Sequence, residues 1–418
     1  METGGGALST VEVTPLRAWL TVALLWFVGF LNYLDRVMIT TMRQSIVDVI
    51  PMTDAQFGLL TTIFLIVYGV LSPFAGYLAD RFNRSHVIVI SLVAWSVITW
   101  LTAHATTYGE LLATRALMGI SEACYIPAAL ALIADYHGVR TRSLANGVHL
   151  SGVMVGAGMG GVGGMIAESH GWAQAFAWFG QLGVGLAIVT AIFLRDQRVL
   201  AAGKTASTPA VEEVKLGEAL RSLFSSRAFL LALGYWGLLG MSVWSVVGWM
   251  PTYLKEHFSL GQGVAGISAT GYYQGASIVG ILFGGWLADC WSRTHPDAPV
   301  LVPLIGMGVA APAILLASST SVLPLAIGGL MLFGLTKSFA DANMMPILTL
   351  VSDKRYRATG YGVLNLCACV VGGITIYAGG ALRDAKIDVS NVFHFGAASI
   401  VVCAVLLYFV RPPAGTKA

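Results

Sequence analysis

The chain has 418 residues, of which 56% are hydrophobic and only 11% are charged, and its formal net charge is +3. Soluble globular chains carry about a quarter charged residues, so this composition excludes an ordinary soluble domain and predicts a membrane protein. The small positive charge is no sign of nucleic-acid binding, because the basic residues lie in short loops and form no patch.

Apolar stretches of about 20 residues, the length that crosses a hydrocarbon core of roughly 30 Å, recur along the chain. Glycine dilutes the hydropathy of the fifth and the eleventh stretch. In chain order, the twelve predicted transmembrane helices cover residues 18–40, 55–79, 86–106, 110–134, 143–167, 172–194, 228–252, 262–287, 299–318, 321–349, 359–381 and 391–410.

The positions of the basic residues predict the orientation of these helices. With both termini in the cytoplasm, seventeen of the 24 Lys and Arg residues lie in inner segments, four in outer loops and three inside helices. This asymmetry follows the positive-inside rule and requires an even number of helices. No cleavage site follows a short apolar core near the N-terminus, so we expect no signal peptide. The predicted location is the inner (plasma) membrane.

A polar segment occurs twice at equivalent places. Gly-Tyr-Leu-Ala-Asp-Arg-Phe-Asn-Arg at residues 76–84 recurs as Gly-Trp-Leu-Ala-Asp-Cys-Trp-Ser-Arg at residues 285–293, with the shared residues 209 positions apart. Each copy lies between two long apolar runs. This Gly-x-Leu-Ala-Asp-x-x-x-Arg turn resembles the signature loop of the major facilitator superfamily, and the resemblance covers nearly the whole chain. It implies an all-α membrane protein with twelve transmembrane helices in two pseudo-symmetric six-helix bundles.

The resemblance also implies a division of the chain. The only long hydrophilic stretch is the expected linker between the bundles, and residues 211–223 within it form either an amphipathic helix on the inner membrane surface or part of a disordered tether. The predicted parts are a cytoplasmic tail at 1–17, a first bundle at 18–194, the linker at 195–227, a second bundle at 228–410 and a tail at 411–418.

The repeated loops are predicted to be cytoplasmic gates. An aspartate at the end of one helix can accept hydrogen bonds from the positive N-terminus of a neighbouring helix and from loop arginines. Such contacts would hold the inner side shut, and the alternative is a solvated turn whose charges only set the topology. The predicted gate residues are Asp80, Arg84, Asp135, Arg142, Asp289, Arg293 and Arg357, with Arg140, Asp353 and Arg355 as further partners.

Charged residues inside the predicted spans are few and balanced. A charge at the centre of a membrane helix costs at least ~2.5–3.5 kcal/mol, so those that persist face a cavity or a partner. Equal numbers of acids and bases predict pairing inside the bundles, with pairs that open when substrate or a proton arrives. The six residues are Asp35, Arg36, Arg115, Glu122, Lys337 and Asp341.

Four of these charges lie at related depths in the first and fourth spans. Asp35, Arg36 and Arg115 are each about five residues from the outer end of their helix, and Glu122 lies two turns beyond Arg115 on the same face. A carboxylate out of water can carry a proton at neutral pH, whereas a guanidinium stays charged and offers a fork for an anion. The arrangement predicts coupling of an anion to protons; the alternative is a static clamp between helices.

The motif Asn-Tyr-x-Asp-Arg at residues 32–36 and the motif Arg-(x)6-Glu in the fourth span resemble motifs that two branches of the superfamily share. One comprises the anion:cation symporters for sugar acids and other organic anions, and the other the Spinster-like transporters, which include lysolipid carriers. The resemblance implies that Asp35 and Glu122 couple protons and that Arg36 and Arg115 contact the anion. The segment 115–125 is closer to the Spinster-like branch, and Trp-Met-Pro-Thr-Tyr-Leu at the end of the seventh span is closer to the symporters.

Further substrate-binding candidates are polar residues in other spans. Lys337 and Asp341 are i,i+4 neighbours that either neutralise each other or present the lysine to a second anionic group of the substrate. His149 is expected either to contact substrate or to cap a neighbouring backbone. Asn343 and Pro346 are expected to break the tenth span toward the cytoplasmic gate. The remaining candidates, for which packing is the alternative, are Tyr33, Tyr272, Tyr273, Gln274 and Asn365.

Glycines at residues 152, 156, 160 and 164 form a small-xxx-small stripe on the fifth span. In lipid such a stripe permits close approach of two helix backbones, so we expect tight packing there. Drug antiporters of the superfamily carry a proline in this region, and none occurs between Pro127 and Pro209. This difference argues against a drug/proton antiporter.

The sequence contains no Walker loop, nucleophile elbow or zinc-type histidine pair, so we expect neither an enzyme nor a bound cofactor or metal. Paired charges at mid-membrane in two related halves favour alternating access over a channel or receptor. The prediction is a monomeric secondary transporter in the lipid bilayer that moves a small organic anion, a carboxylate or sugar acid, together with protons. The alternative is a Spinster-like lysolipid or sphingolipid transporter.

Overall fold

The computed structural model describes residues 14–138, 141–196, 216–295 and 297–410. Within these ranges, eleven helical segments are long and apolar enough to cross a membrane. The predicted eighth span is also a single helix, Gln262–Ser292, of 31 residues. It is not among the eleven, and its Tyr-Tyr-Gln run at 272–274 lowers its hydropathy. The glycine-diluted fifth and eleventh spans both belong to the eleven.

Within the described residues, the first half consists of nine helices that form the first six predicted spans and one short connection. They are α1 (Pro15–Thr41), α2 (Arg43–Val47), α3 (Asp54–Arg81), α4 (Arg84–Thr102), α5 (Tyr108–Glu122), α6 (Tyr125–Tyr136), α7 (Arg142–Met159), α8 (Gly161–His170) and α9 (Trp172–Phe193).

The second half repeats this pattern after a short connecting helix. Its elements are α10 (Leu216–Ser225), α11 (Arg227–His257), α12 (Gln262–Ser292), α13 (Ala298–Ser319), α14 (Leu323–Ala342), α15 (Met344–Val351), a 3₁₀ turn (Lys354–Tyr356), α16 (Arg357–Asp384) and α17 (Ser390–Phe409). We call the end of the bundle where α1 begins and α17 ends the near end, and the opposite end the far end.

Three predicted spans are interrupted in the structure. The fourth is divided into α5 and α6, the fifth into α7 and α8 at Gly160, and the tenth into α14 and α15 at Asn343. At the last break, Asn343 Nδ2 donates to the carbonyl oxygen of Phe339 at 2.9 Å, so the side chain satisfies a carbonyl near the helix end. The predicted break at Asn343 is confirmed.

The glycine stripe of the fifth span packs directly on α1. A Cβ atom at Gly152 would lie 2.5 Å from the carbonyl oxygen of Trp26, and one at Gly156 would overlap that of Phe30. Only glycine allows two helix backbones to approach this closely, so the predicted tight packing is confirmed.

The two halves contact each other along two seams. On one side α3 meets α16, where Thr62 Oγ1 donates to the carbonyl oxygen of Gly373 at 2.6 Å. On the other side α7 and α8 meet α12, where Thr270 Oγ1 donates to the carbonyl oxygen of Gly158 at 2.7 Å. Each seam thus combines a glycine with a threonine hydroxyl from the opposite half.

The described part of the linker forms a helix, which is one of the two predicted alternatives. Residues 216–225 form α10, which packs on the second half by burying Ala219 and Leu223. Tyr356 Oη donates to Glu218 Oε1 at 3.0 Å, which ties α10 to the 3₁₀ turn. Residues 211–215 of the predicted helix, most of the linker and most of both tails lie outside the described residues.

Candidate functional site

The central feature of the first half is a buried ion pair between α1 and α5. Arg36 Nη2 donates to Glu122 Oε2 at 2.9 Å, and both side chains are almost fully buried. Sequence analysis placed Arg115 and Glu122 on one face of their helix without assigning a partner to either. The structure directs Glu122 to the neighbouring helix, where it neutralises Arg36.

Aromatic rings surround the other sides of the Arg36 guanidinium. Its central carbon lies 4.3 Å from the ring centre of Tyr33, 4.4 Å from that of Tyr68 and 4.9 Å from that of Phe64. The negative faces of such rings attract a cation. Arg36 is therefore held by one carboxylate and three rings, and Tyr33 contributes to this packing.

Arg115 has much weaker partners. It is fully buried, its Nη1 donates only to the Met118 sulfur at 2.8 Å, and its guanidinium lies 5.0 Å from the Phe64 ring centre. Within the described part of the chain, its Nε and Nη2 have no hydrogen-bond partner. These two nitrogens form one edge of the guanidinium, the edge that can bind both oxygens of a carboxylate or sulfonate. Arg115 thus keeps two unpaired donors along one edge, whereas Arg36, whose Nε also has no partner among the described residues, has its Nη2 bound to Glu122.

Asp35 completes the cluster. Its Oδ2 accepts a hydrogen bond from Thr99 Oγ1 on α4 at 3.2 Å, and it lies near Glu122 and Arg115. Among the described residues, neither its Oδ1 nor the side-chain amide of Asn32 has a partner. The structure therefore brings Asp35, Arg36, Arg115 and Glu122 together, as predicted from their depths, and adds Thr99, which sequence analysis missed.

The charged residues of the second half form their own pair. Lys337 Nζ lies 2.6 Å from Asp341 Oδ2, and the lysine is buried while the aspartate is half-buried. Nearby, the Tyr273 ring stacks on Phe333 with 5.8 Å between centres. Local neutralisation, one of the two predicted alternatives, describes this geometry, and the substrate role of Lys337 remains a prediction.

The remaining substrate candidates lie in different surroundings. His149 is buried and its Nδ1 contacts the carbonyl oxygen of Leu25 at 3.1 Å, which is the backbone-capping alternative. Asn365 Nδ2 donates to Ser72 Oγ in the other half at 3.3 Å. Tyr272 is 47% exposed, whereas Gln274 is partly buried and lines a small pocket together with Val37 of α1.

The predicted gate residues at the near end make contacts within single halves. Arg84 pairs with Asp135 and donates to the carbonyl oxygen of Ala131 at 2.9 Å. Arg142 donates to the carbonyl oxygen of Ala134 at 3.1 Å. Among the described residues neither Asp289, Arg293 nor Arg357 has an ion pair, and Arg355 pairs with Asp353 at 3.2 Å. The side chain of Asp80 and all of Arg140 lie outside the described part, so the gate remains a prediction.

The far end carries a network that joins the two halves and that sequence analysis missed. Arg383 Nη1 and Nη2 each lie 2.8 Å from a Glu256 oxygen, and its Nε donates to Asp54 Oδ2 at 3.1 Å. Arg43 pairs with Asp54 and lies 3.7 Å from Glu256. We call these four residues the far-end network. Charges of alternating sign, two from each half, hold this end closed.

Two carboxylates reinforce the closure by capping helices of the opposite half. Asp384, at the end of α16, accepts the backbone N–H groups of Asp54 and Ala55 at the start of α3, both at 2.9 Å. Glu168, near the end of α8, accepts the N–H of Gly263 at the start of α12, also at 2.9 Å. An anion at a helix N-terminus binds unpaired amides and the positive end of the helix dipole.

These two caps are related by the internal repeat. The capped residues, Asp54 and Gly263, are 209 positions apart, which is the register of the repeated loop. The capping residues, Glu168 and Asp384, are 216 positions apart, close to the spacing of Arg142 and Arg357. Each half therefore closes on the other by the same contact, and the repeat register is the sequence signal that could have revealed it.

Comparison with known proteins is consistent with this architecture. The sequence profile described as Major Facilitator Superfamily matches residues 25–296 and 237–418. The chain resembles the crystal structure of a bacterial homolog of the human lysosomal transporter Spinster, in an inward-facing and unoccupied conformation, with a TM-score of 0.75, 22% identity and coverage of 96% of both chains. At this identity the similarity establishes the fold.

The sequence relatives include Spinster proteins and a bacterial transporter. Protein spinster of Drosophila melanogaster is 27% identical over 73% of this chain, and Protein spinster homolog 3 of Danio rerio is 28% identical over 74%. The chain spans only 52% and 66% of the lengths of these two relatives. A Cupriavidus necator protein named "Probable sulfoacetate transporter" is 26% identical over 92% of this chain and 91% of its own. Because the family profile covers nearly all of the sequence from residue 25 onward, the chain belongs to the Major Facilitator Superfamily.

Proposed function

We propose that this protein is a proton-coupled symporter of a small organic anion, such as a carboxylate or sugar acid, that works by alternating access. The observation that supports it is the unequal use of two buried guanidinium groups. Arg36 already binds Glu122 and three rings, whereas Arg115 keeps a free edge among the described residues. Arg115 then contacts the anion, and Asp35 and Glu122 carry the protons.

Charge balance in the buried cluster links the two ligands. With all groups ionised, Asp35 and Glu122 neutralise Arg36 and Arg115. A monoanion bound at Arg115 adds one negative charge in a site from which water is largely excluded, and an uncompensated buried charge costs several kcal/mol. Protonation of either carboxylate removes that excess. Anion and proton therefore each favour the binding of the other, which is the thermodynamic requirement for symport.

The orientation follows from the basic residues. We place the near end in the cytoplasm and the far end on the outer side of the inner or plasma membrane. We count α12, the predicted eighth span, as membrane-crossing, which brings the total to twelve. We expect the chain to act as a monomer. In this orientation the closed far-end network corresponds to a state that is shut toward the outside. The predicted loops with Asp80 and Asp289 would close the cytoplasmic side in the alternative state.

The relatives support two substrate classes. The relative named for sulfoacetate aligns along 92% of the chain and favours a compact anion with a carboxylate or sulfonate group. The similarity to the Spinster proteins favours a lysolipid or sphingolipid as the second candidate. A thermal-shift screen of the purified protein with sulfoacetate, sugar acids, monocarboxylates, dicarboxylates and lysolipids separates the two. Stabilisation by lysolipids alone would replace the anion proposal with the lipid one.

The coupling role is tested with Glu122→Gln in proteoliposomes, with radiolabelled sulfoacetate or the best anion of that screen as the probe. We expect the loss of accumulation driven by a pH gradient, with exchange of probe across the membrane largely retained. Glu110→Gln is the matched control, because Glu110 caps α5 at the far end within its own half. Full proton-driven accumulation by Glu122→Gln would refute the assignment.

A further inference from the structure

Thr99 departs from the usual behaviour of threonine in the helices of this protein. A threonine in a helix commonly donates its hydroxyl to the carbonyl three or four residues earlier. Thr102, one turn later on α4, does so to Ile98 at 2.8 Å, and Thr375 on α16 does so to Val371 at 2.8 Å. The Thr99 hydroxyl instead crosses to α1 and donates to Asp35 Oδ2 at 3.2 Å.

The surroundings of Asp35 make this hydrogen bond important for the charge state of its carboxylate. Both Asp35 and Thr99 are almost completely buried, so water contributes little to the hydration of the carboxylate. The charged groups that face Asp35 are Glu122 and Arg115, both on α5, while its neighbour Arg36 is engaged with Glu122. Among the described residues, Thr99 is the only hydrogen-bond donor to the Asp35 side chain.

We propose that Thr99 is a positioning residue for the proton-carrying carboxylate of Asp35. This inference rests on the proposed proton coupling and adds a residue to it. A hydroxyl that donates to Oδ2 stabilises the ionised carboxylate and fixes its rotamer, which leaves Oδ1 as the oxygen that takes the proton. When Oδ1 is protonated, Thr99 can keep its bond to Oδ2, so the proton enters and leaves without rearrangement of α4.

The experiment measures protonation directly and needs no substrate. The infrared carboxyl band of the purified full chain is followed as a function of pH, and the part due to Asp35 is assigned by its disappearance in Asp35→Asn. Thr99→Val keeps the side-chain shape and removes the hydroxyl. We expect the midpoint of the Asp35 titration to move to higher pH by about one unit, because a hydrogen bond to a charged group is lost.

Two further variants make the result specific. Thr99→Ser restores a hydroxyl and should return the midpoint to within a few tenths of a unit of the wild type. Thr102→Val removes a hydroxyl from the same helix that bonds only to its own backbone, and should leave the midpoint unchanged. If Thr99→Val does not fold, Thr99→Ala provides the same measurement.

The outcomes separate this inference from the proposed function. An unchanged midpoint in Thr99→Val, or an equal shift in Thr102→Val, overturns the role of Thr99 whatever the transport result. The outcome of the transport test of Glu122→Gln does not depend on the midpoint of the Asp35 titration. The absence of any Asp35-dependent band over the stable pH range would refute the role of Thr99 and the proton-carrying role of Asp35 together.

Discussion

Replacing Asp384 with alanine should shift the protein toward a state that is open at the far end. The side chain accepts two backbone N–H groups at the start of α3, which belongs to the other half, so its bonds exist only while this end is closed. Loss of a helix N-cap costs about 0.5–2 kcal/mol. Since 1.4 kcal/mol corresponds to a factor of ten, the ratio of open to closed molecules should rise roughly 2- to 30-fold.

The opening can be measured as a distance across the far end. Spin labels at Val49 and Ile387, both exposed, report the separation of the two halves in a variant without native cysteines. In Asp384→Ala the population at long distances should increase. Glu110→Ala is the matched control, because it removes a carboxylate cap at the same end of the molecule whose bonds stay within the first half.

The symmetry of the caps adds a quantitative expectation. Glu168 accepts one backbone N–H where Asp384 accepts two, so Glu168→Ala should open the far end in the same direction but by less. Effects at separate sites add, so the double variant should show the product of the two population ratios. An unchanged distance distribution in Asp384→Ala, or the same change in Glu110→Ala, would show that these caps do not control closure.

Three other predictions concern the charged pairs and the helix seam. Arg115→Lys should weaken binding of an anionic probe tenfold or more, because an ammonium cannot make two parallel hydrogen bonds to a carboxylate; wild-type affinity by calorimetry would favour the lipid alternative. Lys337→Ala should impair transport, and recovery in the double variant with Asp341→Ala would identify a structural pair, whereas continued loss would place the lysine at the substrate. Gly156→Ala should lower the melting temperature because its Cβ would overlap the Phe30 carbonyl oxygen, whereas Gly147→Ala on the same helix meets no atom within 4 Å and should not.

The architecture was predictable because it depends on quantities that a sequence contains directly. Hydropathy over about 20 residues locates the spans, and the repeat at 76–84 and 285–293 gives the two halves. The helix break at Asn343 also followed from residue type. The predicted eighth span, α12, is a continuous helix although it is not among the eleven most apolar helical segments.

The pairing inside the site was less predictable. Spacing along one helix shows that Arg115 and Glu122 share a face, but it does not fix how that face is rotated toward a second helix. In the structure the rotation brings Glu122 to Arg36 and leaves Arg115 with a sulfur and a ring. Thr99 could not be predicted for the same reason, because its contact with Asp35 depends on how α4 and α1 are placed relative to each other.

The far-end network was missed because Arg43 and Arg383 entered the sequence analysis only in the count of basic residues that predicts the orientation of the helices. Arg43 and Arg383 are far apart in the sequence, and their shared partners Asp54 and Glu256 become evident only when the halves are packed together. The caps are different, since the register of the repeat relates Gly263 to Asp54. Applying that register to acidic residues near helix ends would have predicted them.

The position of α1 suggests how the buried cluster and the far end communicate. This helix carries Asp35 and Arg36, and Arg43 of the far-end network begins the next helix, directly after the break at Met42. Thr41 Oγ1 also donates to the carbonyl oxygen of Gly160 at 3.1 Å, at the break in the fifth span. When α1 and the short helix after it move together, a movement that separates Arg36 from Glu122 also displaces Arg43 from Asp54. Under the proposed proton coupling, we expect that neutralisation of Glu122 weakens the hold on α1 and the closure of the far end together, as alternating access would require.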